Sequence, residues 1–585
     1  MSISNYNRFL LLVAGLGGLL YGVDVGIIAG ALPYLEATSG LNAGQLSVVV
    51  AAVLLGSVIS TLFAGTLADW AGRKPLMIAS GLLFVASIPT IALSEGYAAL
   101  VLGRLLQGIS AGLIGVVVPL FLAECLVASS RGKGTGIFQW LLTLGIVTAA
   151  VVGMYFSFRV EEVAKLGDAA RLLAFKDRAW RSIFWVSLPP GILFVVGSLM
   201  VTESPRWLFR RGRRDAAEAA LLRSRTREQG EIELDQMGRA AGAEKTKYAG
   251  GTSIRERLLQ SKYVIPFVLA CVILACNQAT GINSIIGYNT DILLQGGLSD
   301  IQAHWGYVLF TVVNFLMTII GVLLVDRVGR KILLSVGSAG IIVSLLCTCV
   351  LFRQTERQRV DVAGPVQAMV GGDQALTMSY DRAVADRLMG AVGDAGQEGR
   401  GTSLEIIYSC GGFRAATKVA RSDDVDAKPI AITRETCVPR NRVVAFFSNP
   451  FADLAAARRA PLRIEKALIT PVPSAKNGWM VLVSLLVFIA FYAMGPGVCV
   501  WLALSELMPT RIRSNGMSIA LVINQAVSTG IAAFFLPTVG KYGYAAMFLG
   551  FAGCTVIYFL TAAVFLPETK GKTLEEIEAV FEGAG

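Results

Sequence analysis

The sequence predicts an all-α membrane protein of twelve transmembrane helices in two six-helix halves, with cytoplasmic helices between the halves and one extra external domain. Composition is the first reason. The 585-residue chain is 54% hydrophobic and only 16% charged, where soluble domains carry about a quarter charged residues. The second is a series of apolar runs near 9–30, 46–68, 75–94, 98–122, 135–158 and 182–201, then near 263–288, 304–325, 332–352, 477–502, 514–537 and 542–566. Each approaches the ~20 residues a helix needs to cross the hydrocarbon core. The third is an internal repeat, which divides these runs into two sets.

The first run is read as a retained span. It continues past Asp24 without a clear small-residue cleavage site, and its flank carries only Arg8 as a basic residue. Between spans 2 and 3 stands Gly65-Thr-Leu-Ala-Asp69-Trp-Ala-Gly72-Arg73-Lys74, echoed between spans 8 and 9 by Asp326-Arg-Val-Gly329-Arg330-Lys331. Ala123-Glu124 with Arg131 follows span 4, echoed by Ser505-Glu506 with Arg513 after span 10. A single offset relates both pairs once the long hydrophilic stretch 353–476 is removed, as expected of parallel six-span repeats with a binding site between them. The organisation expected is therefore an N-terminal half (1–201), a cytoplasmic linker (202–262), spans 7–9 (263–352), an external insertion (353–476), spans 10–12 (477–566) and a cytoplasmic tail (567–585).

Charge sets the orientation. The net charge of +11 concentrates in connections on one face, at Arg73, Lys74, Arg131, Lys133, Arg206, Arg210, Arg330 and Arg513, whereas loops 31–45 and 95–97 hold almost none. By the positive-inside rule that face and both termini are cytoplasmic. The charge thus orients the chain in a cell (inner or plasma) membrane and does not imply a nucleic-acid partner. The linker reads as short amphipathic helices over Arg210–Asp235. The insertion alternates apolar and polar residues over Ser403–Cys410 and Arg442–Phe447, which suggests strands. Its cysteines, Cys410 and Cys437, are a candidate disulfide in an oxidising space. The other seven cysteines lie in or at the ends of spans as small apolar residues. His304 has no histidine companion and reads as a polar residue opening a span; neither a metal site nor a cofactor is implied. The lack of a triad or nucleotide loop argues against an enzyme.

Asp24 stands well inside span 1, where an ionisable group is costly unless partnered. Arg104, near the start of span 4, is its expected partner. Burial and a neighbouring guanidinium act on a carboxyl in opposite senses, which suits a group that exchanges a proton as its cavity changes exposure. The bland alternative is a static bridge between two helices. A second set is made of amides: Gln139, Asn277, Gln278, Asn283, Asn314 and Asn524. Amides donate and accept hydrogen bonds at once, which suits a small neutral polyhydroxylated ligand. Gln278 and Asn283 diverge on an intact helix, and Gly281 between them offers a break. Trp501 after Gly495-Pro-Gly adds an aromatic face. On the cytoplasmic side Asp69, Glu124, Glu203, Asp326 and Glu506 match Arg73, Arg131, Arg206, Arg330 and Arg513, and ion pairs between the halves would hold that face shut.

The set Gly65–Lys74, Asp326–Lys331, Arg104-Leu-Leu-Gln107-Gly108, Glu203-Ser-Pro-Arg206, Gln278-Ala-Thr-Gly281-Ile-Asn283, Gly495-Pro-Gly497…Trp501 and Pro567-Glu-Thr-Lys-Gly571 resembles the sugar porter family of the major facilitator superfamily, outside 353–476. The resemblance implies a carrier of monosaccharides or polyols that works as a monomer without a cofactor. It implies sugar-binding roles for Gln139, Asn277, Gln278, Asn283, Asn314, Trp501 and Asn524. It also favours proton symport, because symporters of the family carry an aspartate at the position of Asp24. Departures are Asn277 for the first of two usual glutamines, Ile146 for a second span-five glutamine, Gly287-Tyr288 for a tyrosine pair and Gln525 for an aromatic. They leave the cargo open between a hexose or pentose and myo-inositol, whose eukaryotic symporters carry a large insertion between spans 9 and 10. A passive uniporter and a non-transporting sensor are the remaining readings; the short tail argues against the sensor.

Overall fold

The computed structural model describes residues 3–126, 131–248, 261–393, 507 and 513–569, and residues 401–499 apart from 418, 424–428, 440–444 and 446–451. Eleven helical stretches among them are long and apolar enough to cross a membrane. The last bends at Gly543, whose φ of 88° interrupts the helix Arg513–Leu560, so it holds spans 11 and 12. The chain therefore has twelve candidate spans. Span 1 is Ile3–Ser39, span 2 Ala43–Ala71, span 3 Arg73–Ala92, span 4 Tyr97–Cys125 and span 5 Arg131–Ala164. Span 6 is built from Ala169–Trp185 and Leu188–Met200. Span 7 is Ser261–Ala279 continued by Ile282–Gly287, followed by Asn289–Gln295. Span 8 is Asp300–Val328, span 9 Arg330–Glu356 and span 10 Ala475–Met494.

Sequence sets the ends of these helices. Asn42 with Gln45 and Ser299 with Gln302 form capping boxes at the starts of spans 2 and 8, satisfying backbone N–H groups that a helix leaves open. The turns from span 2 to 3 and from span 8 to 9 are made by Gly72 and Gly329, both at φ 103°. That conformation favours glycine, and its recurrence follows the internal repeat.

Glycines on span 1 set the depth of its packing on span 5. A Cβ on Gly22 would overlap the Leu142 carbonyl, and one on Gly18 the Phe138 carbonyl. Backbones this close are characteristic of small-residue interfaces in membranes. Gly22→Ala must part the two helices, so it is expected to cost about 1–3 kcal/mol. A lowered unfolding temperature in detergent is the check.

The large cores show how the halves meet. One cluster joins Ile27–Leu35, Leu46, Ala149, Ala150 and Trp180 of the first half to Ile282–Leu298, Tyr307, Phe352, Leu482 and Phe548 of the second. The other two membrane clusters each draw on one half: Tyr6, Phe84, Phe121 and Phe194 in the first, Leu274, Leu334 and Tyr558 in the second. Among the described residues the halves are thus packed together on the side of the insertion and separate on the side of the linker.

The linker contains the short helices Pro205–Arg210 and Arg214–Ser224 and the longer Arg227–Tyr248. They pack around Leu208, Leu221 and Leu234. Buried Arg225 donates to the Cys125 carbonyl at 2.7 Å and pairs with Glu233, which fixes the linker to the end of span 4.

The insertion has its own core, around Leu404, Ile406, Tyr408, Phe413 and Ile469. Strand β1 is Val360–Asp361, β2 Leu376–Met378, β3 Thr402–Cys410, β4 Phe413–Ala416, β5 Ala420–Arg421, β6 Ile430–Ile432 and β7 Leu462–Pro471. An antiparallel sheet runs β1-β7-β3-β4 with β5 also on β3, and β2 pairs with β6. The alternation over 403–410 becomes β3; of 442–447, only 445 lies among the described residues. Cys410 and Cys437, the candidate pair, are both buried free thiols in this structure. β3 and β4 pair Cys410 opposite Phe413. The Cys437 thiol donates to the Phe413 carbonyl at 3.3 Å.

The insertion touches both halves. Asn42 Nδ2, at the cap of span 2, donates to the Thr436 carbonyl at 3.2 Å. Across the other half, Glu356 accepts from the Tyr544 amide at 2.6 Å and from Arg359 at 3.2 Å. The Glu405 carboxylate of β3 lies over Gly540, where a Cβ would sit 2.6 Å from Oε1. Burial there pushes the Glu405 carboxyl up from 4.5 to about 8, against the attraction of Arg359. A carboxyl with a raised folded value binds more protons when docked than when released, so docking is strongest below about pH 4.5 and weakens as pH rises towards 8. Glu405→Gln should remove that slope, and limited proteolysis of the insertion across this range measures it.

Candidate functional site

The site begins with one buried charge pair. Asp24 and Arg104 are 1% and 2% exposed, with Arg104 Nη1 3.8 Å from Asp24 Oδ1. The guanidinium donates to Gln107 Oε1 at 2.7 Å and stands over the Phe184 ring, 5.6 Å from its centroid. Neither Asp24 oxygen accepts a hydrogen bond. A buried carboxylate normally gathers several donors, whereas Asp24 is held by an electrostatic contact alone. Tyr21, one turn earlier on span 1, lies beside Gln525 of span 11. A residue next to the charge pair thus faces the opposite half.

The amides converge because span 7 breaks. Gly281 adopts φ 83°, and the helix stops at Ala279 and restarts at Ile282. The break brings together two side chains that an intact helix would point apart. Asn283 Nδ2 donates to Gln278 Oε1 at 2.9 Å and to Ser528 Oγ at 2.7 Å. Gln278 Nε2 donates to Asn524 Oδ1 at 3.2 Å, and Asn524 Nδ2 to the Leu274 carbonyl at 3.0 Å. Asn277 accepts from the Tyr492 hydroxyl at 3.1 Å, and its buried Nδ2 has no partner. Gln139 on span 5 is half-buried and Asn314 on span 8 is buried; neither side chain joins this chain of hydrogen bonds. Trp501 lies outside the described residues. Ser528 and Tyr492 were missed in the sequence. Ser528 stands four residues after Asn524, a helical neighbour that polar spacing reveals, whereas Tyr492 is indistinguishable from a packing aromatic.

The charged motifs do not pair across the halves among the described residues, contrary to expectation. Arg73 is buried, with Nη2 2.9 Å from both Asp69 and Glu124 and Nη1 donating to the Ala68 carbonyl at 2.8 Å. Ser204 Oγ donates to Glu124. Glu203 accepts from the amides of Arg73 at 3.0 Å and Ser204 at 2.7 Å, and burial holds its carboxyl above the usual range. All these groups belong to the first half or to the start of the linker, because Arg73 opens span 3 between the ends of spans 2 and 4. In the second half Glu568 repeats the part of Glu203, accepting from the amides of Arg330 at 3.1 Å and Lys331 at 3.2 Å. Arg330 Nη1 donates to the Val325 carbonyl at 3.1 Å. Arg206 is half-buried on the linker's first helix. Glu506 and the side chains of Arg131, Asp326 and Arg513 lie outside the described residues.

On the opposite side the halves are latched by groups the sequence did not announce. Asp300 Oδ2 accepts from Tyr34 at 3.0 Å and from Ser157 at 2.5 Å. Tyr307 donates to the Gly26 carbonyl at 3.0 Å, and Thr290 to that of Ala29. His304, in the opening turns of span 8, is wholly buried in this seam.

A broken span lined with amides beside a buried ion pair, between two six-span halves, defines a carrier and not an enzyme. Residues 10–371 and 466–581 match the family model described as "Sugar (and other) transporter". The chain belongs to this family, the sugar porters of the major facilitator superfamily. It is 26% identical to the human proton myo-inositol cotransporter over 97% of this chain and 81% of that one. It is 25% identical to the Escherichia coli galactose-proton symporter, covering 97% and 93%, and 25% identical to the glucose transporter GlcP of Staphylococcus epidermidis, covering 98% and 97%. Among solved structures, the partially occluded inward-open xylose transporter XylE of E. coli superposes with a TM-score of 0.63 at 20% identity, covering 97% of this chain and all of that one. That likeness shows the fold.

Proposed function

We propose that the protein is a proton-coupled symporter that imports a monosaccharide, hexose or pentose, by alternating access. The observation that carries this reading is the buried Asp24–Arg104 pair, without hydrogen-bond donors on the carboxylate and next to Tyr21, which lies beside Gln525, the neighbour of Asn524. Protonation of Asp24 releases Arg104 from its counter-charge, and the Tyr21 contact passes the change to the sugar site. Gln278, Asn283 and Asn524 supply donors and acceptors for hydroxyls, with Gln139, Asn277, Asn314 and Trp501 as the further candidate sugar-binding residues. The basic connections put both termini and the linker in the cytoplasm of a cell whose boundary membrane the chain spans. The insertion is then external and the arrangement inward-facing. The charged clusters around Arg73 and Arg330 are cytoplasmic gate elements that brace each half. The chain works as a monomer.

Similarity to the human proton myo-inositol cotransporter favours a second cargo, a polyol. Uptake into proteoliposomes decides between them with labelled glucose, galactose, xylose and myo-inositol under an inward proton gradient. The first reading expects one of the three sugars to accumulate and myo-inositol to be carried at least about tenfold less well, the scale of one lost hydrogen bond in a polar pocket. Accumulation of myo-inositol alone would establish the second reading and overturn the first.

A further inference from the structure

His304, the chain's single histidine, sits one turn into span 8, wholly buried where the two halves close on the external side. Its ring stacks on Tyr34 of span 1, with centroids 5.7 Å apart and planes 7° from parallel. Nδ1 lies 2.9 Å from the Asp300 carbonyl oxygen and 3.5 Å from Asp300 Oδ1. Nε2 lies 3.5 Å from the Gly30 carbonyl oxygen of span 1. Both ring nitrogens therefore face oxygen acceptors. A neutral imidazole offers one N–H and one lone pair; in this seam its lone pair would be pressed against an acceptor. The imidazolium has two N–H groups and satisfies both sides.

We propose that His304 is a second proton-binding site, distinct from Asp24, whose imidazolium, oriented by Asp300 of its own helix, fastens the external gate shut against the Gly30 carbonyl of span 1. The groups facing the ring are Asp300 from its own helix, the Tyr34 phenol and Gly30 carbonyl from span 1, and Gly153 and Ser157 from span 5. The next carboxyls, Glu36 and Asp291, act on the adjoining Tyr288 and Tyr544. Tyr34, Gly30 and Ser157 belong to the first half, Asp300 and His304 to the second, so the contacts of the ring with Tyr34 and Gly30, and of Asp300 with Tyr34 and Ser157, must part when the external faces separate. The ring and the Asp300 carboxylate then meet external water, and the ring exchanges its proton there. The second N–H of a charged ring finds its acceptor on span 1 only in the closed gate, so acid is expected to favour closure.

The inference rests on the alternating-access reading but not on the cargo or on the role of Asp24. Hydrogen–deuterium exchange of the full-length protein in lipid nanodiscs, followed over residues 26–38 and 300–310 and corrected for intrinsic rates, reads the gate directly. Protection in the wild type is expected to be at least about tenfold greater at pH 5.5 than at pH 8, the scale of a charge-assisted hydrogen bond. In His304→Gln it should be independent of pH, and in Asp24→Asn the response should persist. Asp300→Asn also weakens the Tyr34 and Ser157 hydrogen bonds, so it should lose protection at both pH values. If His304→Gln has a lowered unfolding temperature, His304→Asn serves in its place and should likewise show no dependence on pH. An unchanged pH response in His304→Gln, or no response in the wild type, overturns the proposal. A response lost in Asp24→Asn but kept in His304→Gln would also overturn it, leaving proton symport through Asp24 intact. If sugar uptake ignores the proton gradient while the gate still responds through His304, the symport reading fails and the gate proposal stands.

Discussion

Replacing Asp24 with asparagine is expected to abolish proton-driven accumulation while sugar exchange across the membrane persists. The amide keeps the size of the carboxyl and cannot take up a proton, so the carrier can still rock with sugar bound but loses its link to the gradient. With one proton per sugar, a gradient of one pH unit supports about a tenfold concentration ratio, since one unit is worth about 1.36 kcal/mol. The variant should equilibrate at a ratio of about one. Arg104 lies 3.8 Å away and fully buried, and removing its charge leaves Asp24 without a counter-ion; Arg104→Gln should impair assembly as well as transport. Accumulation and counterflow in parallel proteoliposomes separate these outcomes.

Gln278→Ala should have the second largest effect, on sugar affinity. Gln278 stands in the middle of the amide chain, donating to Asn524 at 3.2 Å and accepting from Asn283 at 2.9 Å. Its loss frees both neighbours to reorient in a buried site and removes one donor and one acceptor for a hydroxyl. Leaving buried polar groups unmatched costs about 1–3 kcal/mol, which predicts a rise in KM of about five- to a hundredfold. The maximal rate should fall less. Initial-rate uptake across sugar concentrations measures both. Gly281→Ala should reach the same end by another route. Its Cβ would meet the Phe551 ring at φ 83°, and the break that aims Asn283 at Gln278 would be strained.

What was visible in the sequence is local chemistry, and what was hidden is pairing over distance. Asp24, Arg104 and the amides stand out because polar groups are rare in apolar runs. Gly281 marks its own break because Gln278 and Asn283 cannot otherwise meet. The turns at Gly72 and Gly329 follow from the repeat. The Asp300 latch could not be read, because Tyr34 lies in span 1 and Ser157 in span 5, and nothing in spacing says which helix ends touch. For the same reason the charges near Arg73 were expected to meet their counterparts in the other half, whereas spans 2, 3 and 4 of one half enclose them. Glu568 was present within a quoted motif, but its equivalence to Glu203 emerges only from the matching amide contacts at Arg330 and Lys331. The strand at 403–410 was foreseen from alternation. Its partner β7 was not, since antiparallel pairing across fifty-odd residues of sequence has no local signature.

The proposed symport requires that sugar and proton cross together. A pH-sensitive dye outside lightly buffered proteoliposomes, without an imposed gradient, tests it most directly. Adding the transported sugar should make the external medium more alkaline as protons enter with it, and Asp24→Asn vesicles should take up sugar with no pH change. Sugar uptake without proton movement in the wild type would contradict the account and leave a passive carrier in which Asp24 and Arg104 only hold two helices together.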